Sequence, residues 1–278
     1  MFSVLYNPSM SQNSLNGKKL LLSVRELHKS FGGVKALQDY SLDLYEGTLI
    51  GLIGPNGAGK TTVFNLLSGV IPPTSGTIRF LDSDITKLKP HMRTKMGITR
   101  TFQNIRLFEE LSVLDNIRIA LHMNNGKGII PTILHTPNYK KSEKEILEKA
   151  DHFLELFNIT KWRNEKSGML PYGIQRAVEI ARALATEPKL LLLDEPVAGL
   201  NPSETEQFVQ LINRIHNEFN LTILLVEHDM RVIMSICKYI QVLDQGKLIA
   251  EGLPAEIQNN PSVIKAYLGY EGEQAYGS

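Results

Sequence analysis

The sequence predicts a layered α/β fold with a helical subdomain inserted into it. Short apolar or β-branched runs alternate with longer helical patterns over most of the chain, as expected for helices packed on a sheet. A glycine-rich loop directly follows the apolar run at residues 48–54. From about Asn104 to Leu170 the pattern is mostly helical instead. These three observations indicate an α/β core interrupted by a helical insertion.

Seven short runs predict the strands of the core, because each is strand-length and rich in apolar residues. They are TLIGLIG at 48–54, GTIRFLD at 76–82, GITRTFQ at 97–103, KLLLLDEP at 189–196, LTILLVEHD at 221–229, YIQVLD at 239–244 and KLIAEG at 247–252. The run at 48–54 is expected to be a buried strand that leads into the glycine-rich loop. A helix over 61–69 is expected to follow this loop and to end at Gly69.

Two amphipathic helices are predicted in the insertion by their 3.6-residue periodicity. The first carries its apolar face on Val113, Leu114, Ile117 and Ala120, and the second on Ile146, Leu147, Ala150, Phe153, Leu154 and Phe157. The stretch between them, residues 123–141, is expected to be a loop.

Composition describes an ordinary globular chain of 278 residues with a net charge of +1, 42% apolar and 21% charged. Such a charge gives no bulk attraction to nucleic acid or to an anionic membrane. The single cysteine, Cys237, excludes an internal disulfide and is expected in the core. No run approaches the ~20 apolar residues of a membrane span, and residues 1–18 are expected to be a mobile leader. These features predict a cytosolic protein unless a partner tethers it.

The glycine-rich loop fits the phosphate-binding pattern G-x-x-x-x-G-K-[ST] from Gly54 to Thr61. Its predicted strand–loop–helix context would place backbone N–H groups around phosphates at a helix N-terminus. Lys60 would reach the β- and γ-phosphates, and the Thr61 hydroxyl would ligate Mg²⁺. The predicted nucleotide-binding residues of the loop are Gly54, Pro55, Asn56, Gly57, Ala58, Gly59, Lys60, Thr61 and Thr62.

Four polar residues follow predicted strands, where open α/β sheets bind ligands. Asp194 and Glu195 come directly after four leucines. There Asp194 can hold Mg²⁺ through water, and Glu195 can polarise an attacking water. The alternative, that the two acids only cap a strand at the protein surface, is less favoured. Gln103 and His228 also end strands. Taken singly they could be turn residues, but with the loop and the acids they indicate γ-phosphate sensors.

The order of these motifs resembles the nucleotide-binding subunit of ATP-binding cassette (ABC) transporters. The match runs from about Leu20 to Tyr270 and includes LPYGIQRAVEIARAL, AGLN and LLVEHDM. The resemblance implies that Glu195 is the catalytic base, that His228 contacts the γ-phosphate and that Gln103 touches Mg²⁺. It also places Phe31 against adenine, although a core aromatic remains the alternative for that residue. ATP and Mg²⁺ are the implied cofactors.

The resemblance also implies an architecture and its boundaries. An α/β P-loop NTPase (RecA-like) core with an antiparallel β subdomain would occupy residues 19–103 and 186–270. An inserted α-helical subdomain with the signature motif would occupy residues 104–185, and residues 271–278 would form a tail. This arrangement is that of an ABC ATPase.

Longer segments narrow the resemblance to the Liv-type subunit of branched-chain amino acid importers. They are RTFQNIRLFEELSVLDNIRIALH, YGIQRAVEIARAL, EPVAGLNPSETE and PSVIKAYLG. Subunits for urea or amide uptake and for lipopolysaccharide export share parts of them and remain alternatives. A soluble ABC ATPase acting on DNA or ribosomes is disfavoured by the lack of basic clusters. A P-loop kinase or GTPase would leave the signature helix and His228 unexplained.

The signature motif departs from the family pattern L-S-G-G-Q. It comprises Leu170, Pro171, Tyr172, Gly173, Ile174 and Gln175. Leu170 and Gly173 fit, whereas Pro171 and Tyr172 replace the serine and the first glycine. Proline lacks both a hydroxyl and an N–H, but it is well suited to starting the helix that follows. Liv-type systems use two different ATP-binding subunits, so the resemblance implies a heterodimer with a second cassette.

Membrane-embedded permease subunits, and indirectly a substrate-binding protein, are the other implied partners. They would hold the chain at the cytoplasmic face of the bacterial inner membrane. Apolar residues after Gln103 exceed what a short two-faced helix needs: Ile105, Leu107, Phe108, Leu111 and Val113. Some of them are expected to line a groove for a cytoplasmic helix of the permease. The alternative is that all of them pack inside the insertion.

Overall fold

A computed structural model describes residues 17–124 and 137–275. These ranges contain ten strands and nine α-helices. The strands are β1 Leu20–Phe31, β2 Val34–Tyr45, β3 Leu49–Ile53, β4 Ser75–Phe80, β5 Ser83–Asp84, β6 Ile98–Arg100, β7 Leu190–Asp194, β8 Thr222–Val226, β9 Tyr239–Asp244 and β10 Lys247–Gly252. The helices are α1 Lys60–Leu67, α2 Pro90–Met96, α3 Val113–Asn124, α4 Pro137–Leu156, α5 Tyr172–Leu184, α6 Pro202–Phe219, α7 Met230–Ile236, α8 Pro254–Gln258 and α9 Pro261–Ala275.

The chain divides into two compact units. The first comprises Met1–Arg93 and Ile212–Ser278, and the second Thr94–Leu211. Most of the predicted leader, residues 1–16, lies outside the described ranges, as do 125–136 of the predicted loop and 276–278 of the tail. The boundary of 104–185 predicted for the helical subdomain stays a prediction.

An antiparallel sheet in the first unit has the strand order β2-β1-β4-β5. Its long hairpin pairs Phe31 with Val34, so only Gly32 and Gly33 connect β1 to β2. Gly32 has a φ of 56°, and diglycine suits such two-residue turns because they need left-handed backbone. The antiparallel β subdomain is therefore confirmed.

The second sheet of this unit places β3 between two parallel partners, β8 and β9, with β10 antiparallel beside β9. All residues of β3 and β8 are buried, as expected for parallel strands covered on both faces. Leu52 is paired with Val226, so the loops after β3 and β8 leave the sheet at the same edge. Cys237 is 4% exposed, and its sulfur would lie 3.0 Å from a Cβ built on Gly51 of β3, which confirms its core position. Burial raises the pKa of its thiol.

The second unit pairs β6 with β7 in parallel and carries α3, α4 and α5. The predicted faces of α3 and α4 are buried, except that Leu147 is 37% exposed. Its inclusion in the face is wrong, because Leu147 lies at the exposed margin of the helix face while its neighbour Ile146 is buried. The loop prediction is also wrong at its ends, since α3 continues to Asn124 and α4 begins at Pro137.

No helix within residues 17–124 and 137–275 is long and apolar enough to cross a membrane.

Candidate functional site

The glycine-rich loop follows β3 and has a backbone that only glycine fits at its start. Gly54 has a φ of 152°, and a Cβ there would lie 2.1 Å from the Leu243 carbonyl oxygen. Gly59, which caps the N-terminus of α1, has a φ of 107°, and its Cβ would lie 2.8 Å from the Ala36 carbonyl oxygen. The sequence pattern thus reflects close backbone packing against neighbouring strands.

The middle of this loop is open. Gly57 has a φ of 78°, and a Cβ there would meet no atom within 4 Å. The helix α1 starts at Lys60 and has no acidic residue in its first turn. Its N-terminal N–H groups and its dipole therefore present a positive potential that no acid of its own first turn offsets, which suits a phosphate group.

Lys60 curls back over the loop. Its ammonium group donates to the carbonyl oxygens of Gly54 at 2.6 Å and Pro55 at 2.9 Å, and the residue is 6% exposed. These bonds hold a positive charge at the rim of the open loop. Thr61, the next residue, is exposed in the first turn of α1.

The far end of α1 is held by Arg93, which sequence reasoning missed. Its buried guanidinium donates to the Leu66 and Leu67 carbonyl oxygens at 2.6 and 2.8 Å, so it satisfies carbonyls that helix geometry leaves unpaired. It also donates to Leu88 and Thr86. Burial lowers the Arg93 pKa to about 10. The helix behind the phosphate-binding loop is thus fixed at its C-terminus by a buried cation.

Phe31 is not a core residue. Its ring is 49% exposed at the end of β1, with the Lys29 ammonium 4.9 Å from the ring centroid. The core alternative considered from the sequence is therefore wrong, and an aromatic face is available to stack on a planar group.

His228 follows β8 at the sheet edge that also carries the glycine-rich loop. Its imidazole is 59% exposed, and Nδ1 lies 3.8 Å from the carboxylate of Glu227, which is buried. The Glu227 carboxylate also accepts the His228 backbone N–H at 3.2 Å. Phe31, the loop and His228 are all supplied by the first unit.

The second unit supplies the predicted acids and Gln103. Asp194 ends β7 and is ion-paired with Arg100 of β6 at 2.7 Å, with both side chains 6% exposed. Glu195 is half-buried and accepts a hydrogen bond of 2.9 Å from the Gln103 amide. Glu195 also has a φ of 45°, which is a left-handed backbone conformation and is strained for a non-glycine residue. Residues with such strained backbones occur most often at functional sites.

Two family models match the chain. The model described as ABC transporter covers residues 37–198. The chain belongs to the ABC transporter family. A second model, described as branched-chain amino acid ATP-binding cassette transporter, covers residues 247–273 of this cassette, which form β10, α8 and most of α9.

Curated relatives and a solved structure agree with this assignment. The cassette is 45% identical over 249 residues to the high-affinity branched-chain amino acid transport ATP-binding protein BraF of Pseudomonas aeruginosa, covering 90% of this chain and 98% of the relative. The corresponding Escherichia coli K12 protein, LivG, gives the same values. A crystal structure of the ADP conformation of an ATP-binding cassette of an ABC transporter matches with a TM-score of 0.78 and 30% identity, covering 90% of this chain and 99% of that one.

Family membership confirms the predicted fold class and makes the cassette a nucleotide-binding ATPase coupled to transport. It also implies membrane-embedded permease subunits as partners.

The signature segment of the cassette begins α5. Pro171 is the N-cap residue, with φ −52° and ψ 146°, and its carbonyl accepts the N–H groups of Ile174 and Gln175, each at 3.0 Å. The expectation that Pro171 starts the helix is thus confirmed. Tyr172 is 42% exposed, and a Cβ on Gly199 would lie 3.2 Å from its ring.

The proposed Mg²⁺ ligands fit the ion by their chemistry. Thr61, Gln103 and Asp194 offer hydroxyl, amide and carboxylate oxygens, the hard donors that Mg²⁺ prefers. Magnesium is commonly held by one or two carboxylates together with substrate phosphates, which suits a set with a single acid. Among the residues that the structure describes, no cluster of three or more His, Cys, Asp and Glu forms another metal site.

Three charged residues of the second unit escaped sequence reasoning: Arg100, Arg176 and Glu179. All three are largely buried and make ion pairs, Arg100 with Asp194 and Arg176 with Glu179. The available signal was their position, since each is a charge within an otherwise apolar helix face or strand. Such charges are rarely buried unless they are paired.

Proposed function

We propose that this cassette is the ATP-hydrolysing subunit of an importer for branched-chain amino acids. The observation that carries the proposal is the match of residues 247–273 to the branched-chain family model, since this segment lies outside the motifs that all cassettes share. The names of the two relatives support the same substrate class. Export of lipopolysaccharide and uptake of urea or amides are the alternatives.

The experiment is substrate uptake in cells that lack this gene. Deletion should abolish high-affinity uptake of labelled leucine, and the parent gene should restore it, whereas Lys60→Ala should not. Labelled urea serves as the control substrate. Normal leucine uptake with impaired urea uptake or impaired lipopolysaccharide export would overturn the proposed substrate.

In the proposed site, the glycine-rich loop and Lys60 hold the phosphates and Phe31 stacks on adenine. The Lys60 ammonium is already positioned at the loop by two carbonyl groups. Mg²⁺ would be held by Thr61, by Gln103 and, through water, by Asp194, and would supply charge neutralisation for the phosphates. His228 contacts the γ-phosphate.

Glu195 is the proposed general base. It orients a water molecule and accepts its proton as the water oxygen attacks the γ-phosphorus, while the bond from the γ-phosphorus to the β–γ bridging oxygen breaks and ADP leaves. Its half-buried carboxylate accepts a hydrogen bond from the Gln103 amide at one of its oxygens. The strained backbone at Glu195 fixes the direction in which the side chain leaves the strand.

The cassette is further proposed to work in a heterodimer with unequal ATP sites. In the family, the signature serine and glycine amides contact the γ-phosphate held by the other subunit. Pro171 offers neither a hydroxyl nor an N–H at that position, while this chain's own loop, acids and His228 are present. Donors to a charged phosphate are worth ~1.5–3 kcal/mol each. ATP hydrolysis at a site completed by this signature would therefore be slower by about tenfold or more.

Paired mutation tests the inequality. Glu195→Gln in this chain should stop most hydrolysis by the complex, because its loop faces the complete signature of the partner. The matching substitution in the partner cassette should matter less. Equal losses, or full transport by this chain as a homodimer, would contradict unequal sites.

A permease-docking surface is proposed at Phe108, Leu111 and Met169. These side chains are 50%, 36% and 82% exposed. Their segments run side by side, since Ser167 N–H donates to the Leu111 carbonyl at 3.0 Å and Gly168 N–H to Glu109. Val113, another of the apolar residues after Gln103, is fully buried and does not belong to this surface. The proposed occupant is a cytoplasmic helix of the permease, as in other helix-in-groove contacts.

The docking surface can be tested by co-purification. Phe108→Glu should reduce recovery of the cassette with the permease but leave ATP binding unchanged. Leu147→Glu is the matched control, since Leu147 is exposed to a similar degree on α4 of the same unit. Equal recovery of both variants would remove Phe108 from the interface.

The proposed location is the cytoplasmic face of the bacterial inner membrane, reached through the permease. The cassette should sediment with membranes only in cells that express the permease. Association that survives deletion of the permease would contradict this attachment.

A further inference from the structure

Arg176 is a fully buried cation in the second turn of the signature helix α5. Its side chain is 1% exposed, yet its guanidinium meets four acceptors. Nη1 donates to the Phe102 carbonyl at 2.9 Å and to the Glu179 carboxylate at 2.7 Å. Nη2 donates to the Gln103 carbonyl at 2.9 Å and to the Tyr172 hydroxyl at 3.1 Å. One side chain thus joins the signature motif to the main chain of the proposed sensor.

Glu179 completes the link from one turn further along α5. Its second carboxylate oxygen accepts the Arg106 N–H at 3.3 Å, so the Arg176–Glu179 pair holds the segment 102–106 at both ends. Burial raises the pKa of the Glu179 carboxyl, and the attraction of Arg176 offsets this only in part. Burying such a pair gives less stability than apolar side chains of similar volume often do. Its geometry therefore calls for a role other than stability.

We propose that Arg176 is a positioning residue that ties Tyr172 of the signature to the main chain of Gln103 and thereby sets the Gln103–Glu195 pair. The proposal rests on the proposed function in one respect, namely that Tyr172 faces the nucleotide of the partner cassette. All four residues belong to the second unit.

The link gives the two ATP sites of a dimer a direct connection within one chain. Engagement of the partner's nucleotide displaces Tyr172, and the guanidinium passes the displacement to the Gln103 carbonyl. The Gln103 side chain is bonded to Glu195 at 2.9 Å, so the base of this chain's own site responds. Because Arg176 belongs to the second unit and the glycine-rich loop to the first, its loss should change turnover rather than nucleotide affinity.

The test variant is Arg176→Lys. Lysine keeps the charge and can pair with Glu179, but one ammonium lacks the planar fork that reaches several carbonyls at once. The matched control is Arg163→Lys, which alters an arginine paired with Asp151 at 2.8 Å in the same unit. Both substitutions keep the positive charge, so neither leaves the partner carboxylate unpaired.

Two measurements are expected to move together. Amide hydrogen exchange of residues 102–106 in the purified chain should accelerate about tenfold or more in Arg176→Lys and stay unchanged in Arg163→Lys. In the reconstituted complex, kcat should fall about tenfold or more because the base is misplaced, while KM for ATP and affinity of the chain for ATP stay within about twofold. Exchange equal to that of the control, or an unchanged kcat, would overturn the proposal.

A second variant keeps the proposal testable if Arg176→Lys does not fold. Arg176→Met combined with Glu179→Leu replaces the whole pair by apolar side chains, which often preserves stability. It should fold and show the same two effects. Parent-like exchange and kcat in this folded double variant would refute the link. If the parent complex shows no transport-coupled hydrolysis, the proposed function fails, but the exchange measurement still decides whether Arg176 positions Gln103.

Discussion

The Gln103 side-chain amide donates a hydrogen bond of 2.9 Å to the Glu195 carboxylate. Beside it, Arg100 is ion-paired with Asp194 at 2.7 Å. Strand β6 and the residues after it thus supply a partner for each of the two acids at the end of β7. Each acid is thus oriented by a side chain from this segment.

Glu195→Gln should keep this geometry, because an amide oxygen can still accept from Gln103, but it removes the basicity. We expect turnover to fall by about 10²-fold or more with ATP still bound, measured as ATPase rate and nucleotide affinity of the same preparation. Glu187→Gln is the control, since Glu187 is an exposed acid of the same unit whose φ of 50° is also positive. A rate within a few-fold of the parent would remove Glu195 as the base.

Lys60→Ala should weaken ATP binding itself. A charged donor to phosphate is worth ~1.5–3 kcal/mol, so titration of a fluorescent nucleotide should show a loss of about ten- to a hundredfold. Lys87→Ala, at an exposed lysine of the same unit, should bind ATP normally. Unchanged affinity of the Lys60 variant would count against its contact with phosphate.

Phe31→Ala should weaken ATP binding by roughly 1–2 kcal/mol through loss of stacking on adenine. Because the ring is 49% exposed, the free energy of unfolding should change by no more than about 0.5 kcal/mol. Phe31→Tyr should be nearly neutral. Phe219→Ala, at a ring that is 41% exposed, should leave affinity unchanged, and the adenine assignment fails if the two alanine variants bind ATP equally.

His216 should make the chain sensitive to mild acid. Its Nδ1–H donates to the Leu221 carbonyl at 2.8 Å, and burial lowers its pKa below the ordinary value. The unfolded chain therefore takes up the proton first, so stability falls as the pH drops through the unfolded pKa of about 6.5. Urea unfolding at pH 7 and pH 5.5 should show a larger loss for the parent than for His216→Asn. Identical losses would show that the pKa of His216 does not differ between the folded and unfolded chain.

The parallel core was predictable because burial on both faces makes its strands continuous apolar runs. Strands β3, β7 and β8 therefore lie within their predicted segments, and the loop after β3 is where its pattern placed it. The hairpin of β1 and β2 left no such signal, since bulges interrupt its alternation at several points.

The polar framework of the site could not be predicted, because its partners are distant in sequence. Arg176 meets the Gln103 carbonyl 73 residues away, and Arg100 meets Asp194 94 residues away. Local patterns report which face of an element is apolar, but they do not report which buried charge finds which partner. The exposure of Phe31 likewise depends on where the hairpin ends in space.

The most direct test of the proposed function is uptake of labelled leucine into vesicles that contain the reconstituted transporter, with ATP supplied on the side of the cassette. The parent complex should take up leucine and hydrolyse ATP faster when the loaded substrate-binding protein is present, and Glu195→Gln in this chain should abolish both. Uptake that proceeds with Glu195→Gln, or hydrolysis that does not respond to leucine, would contradict it.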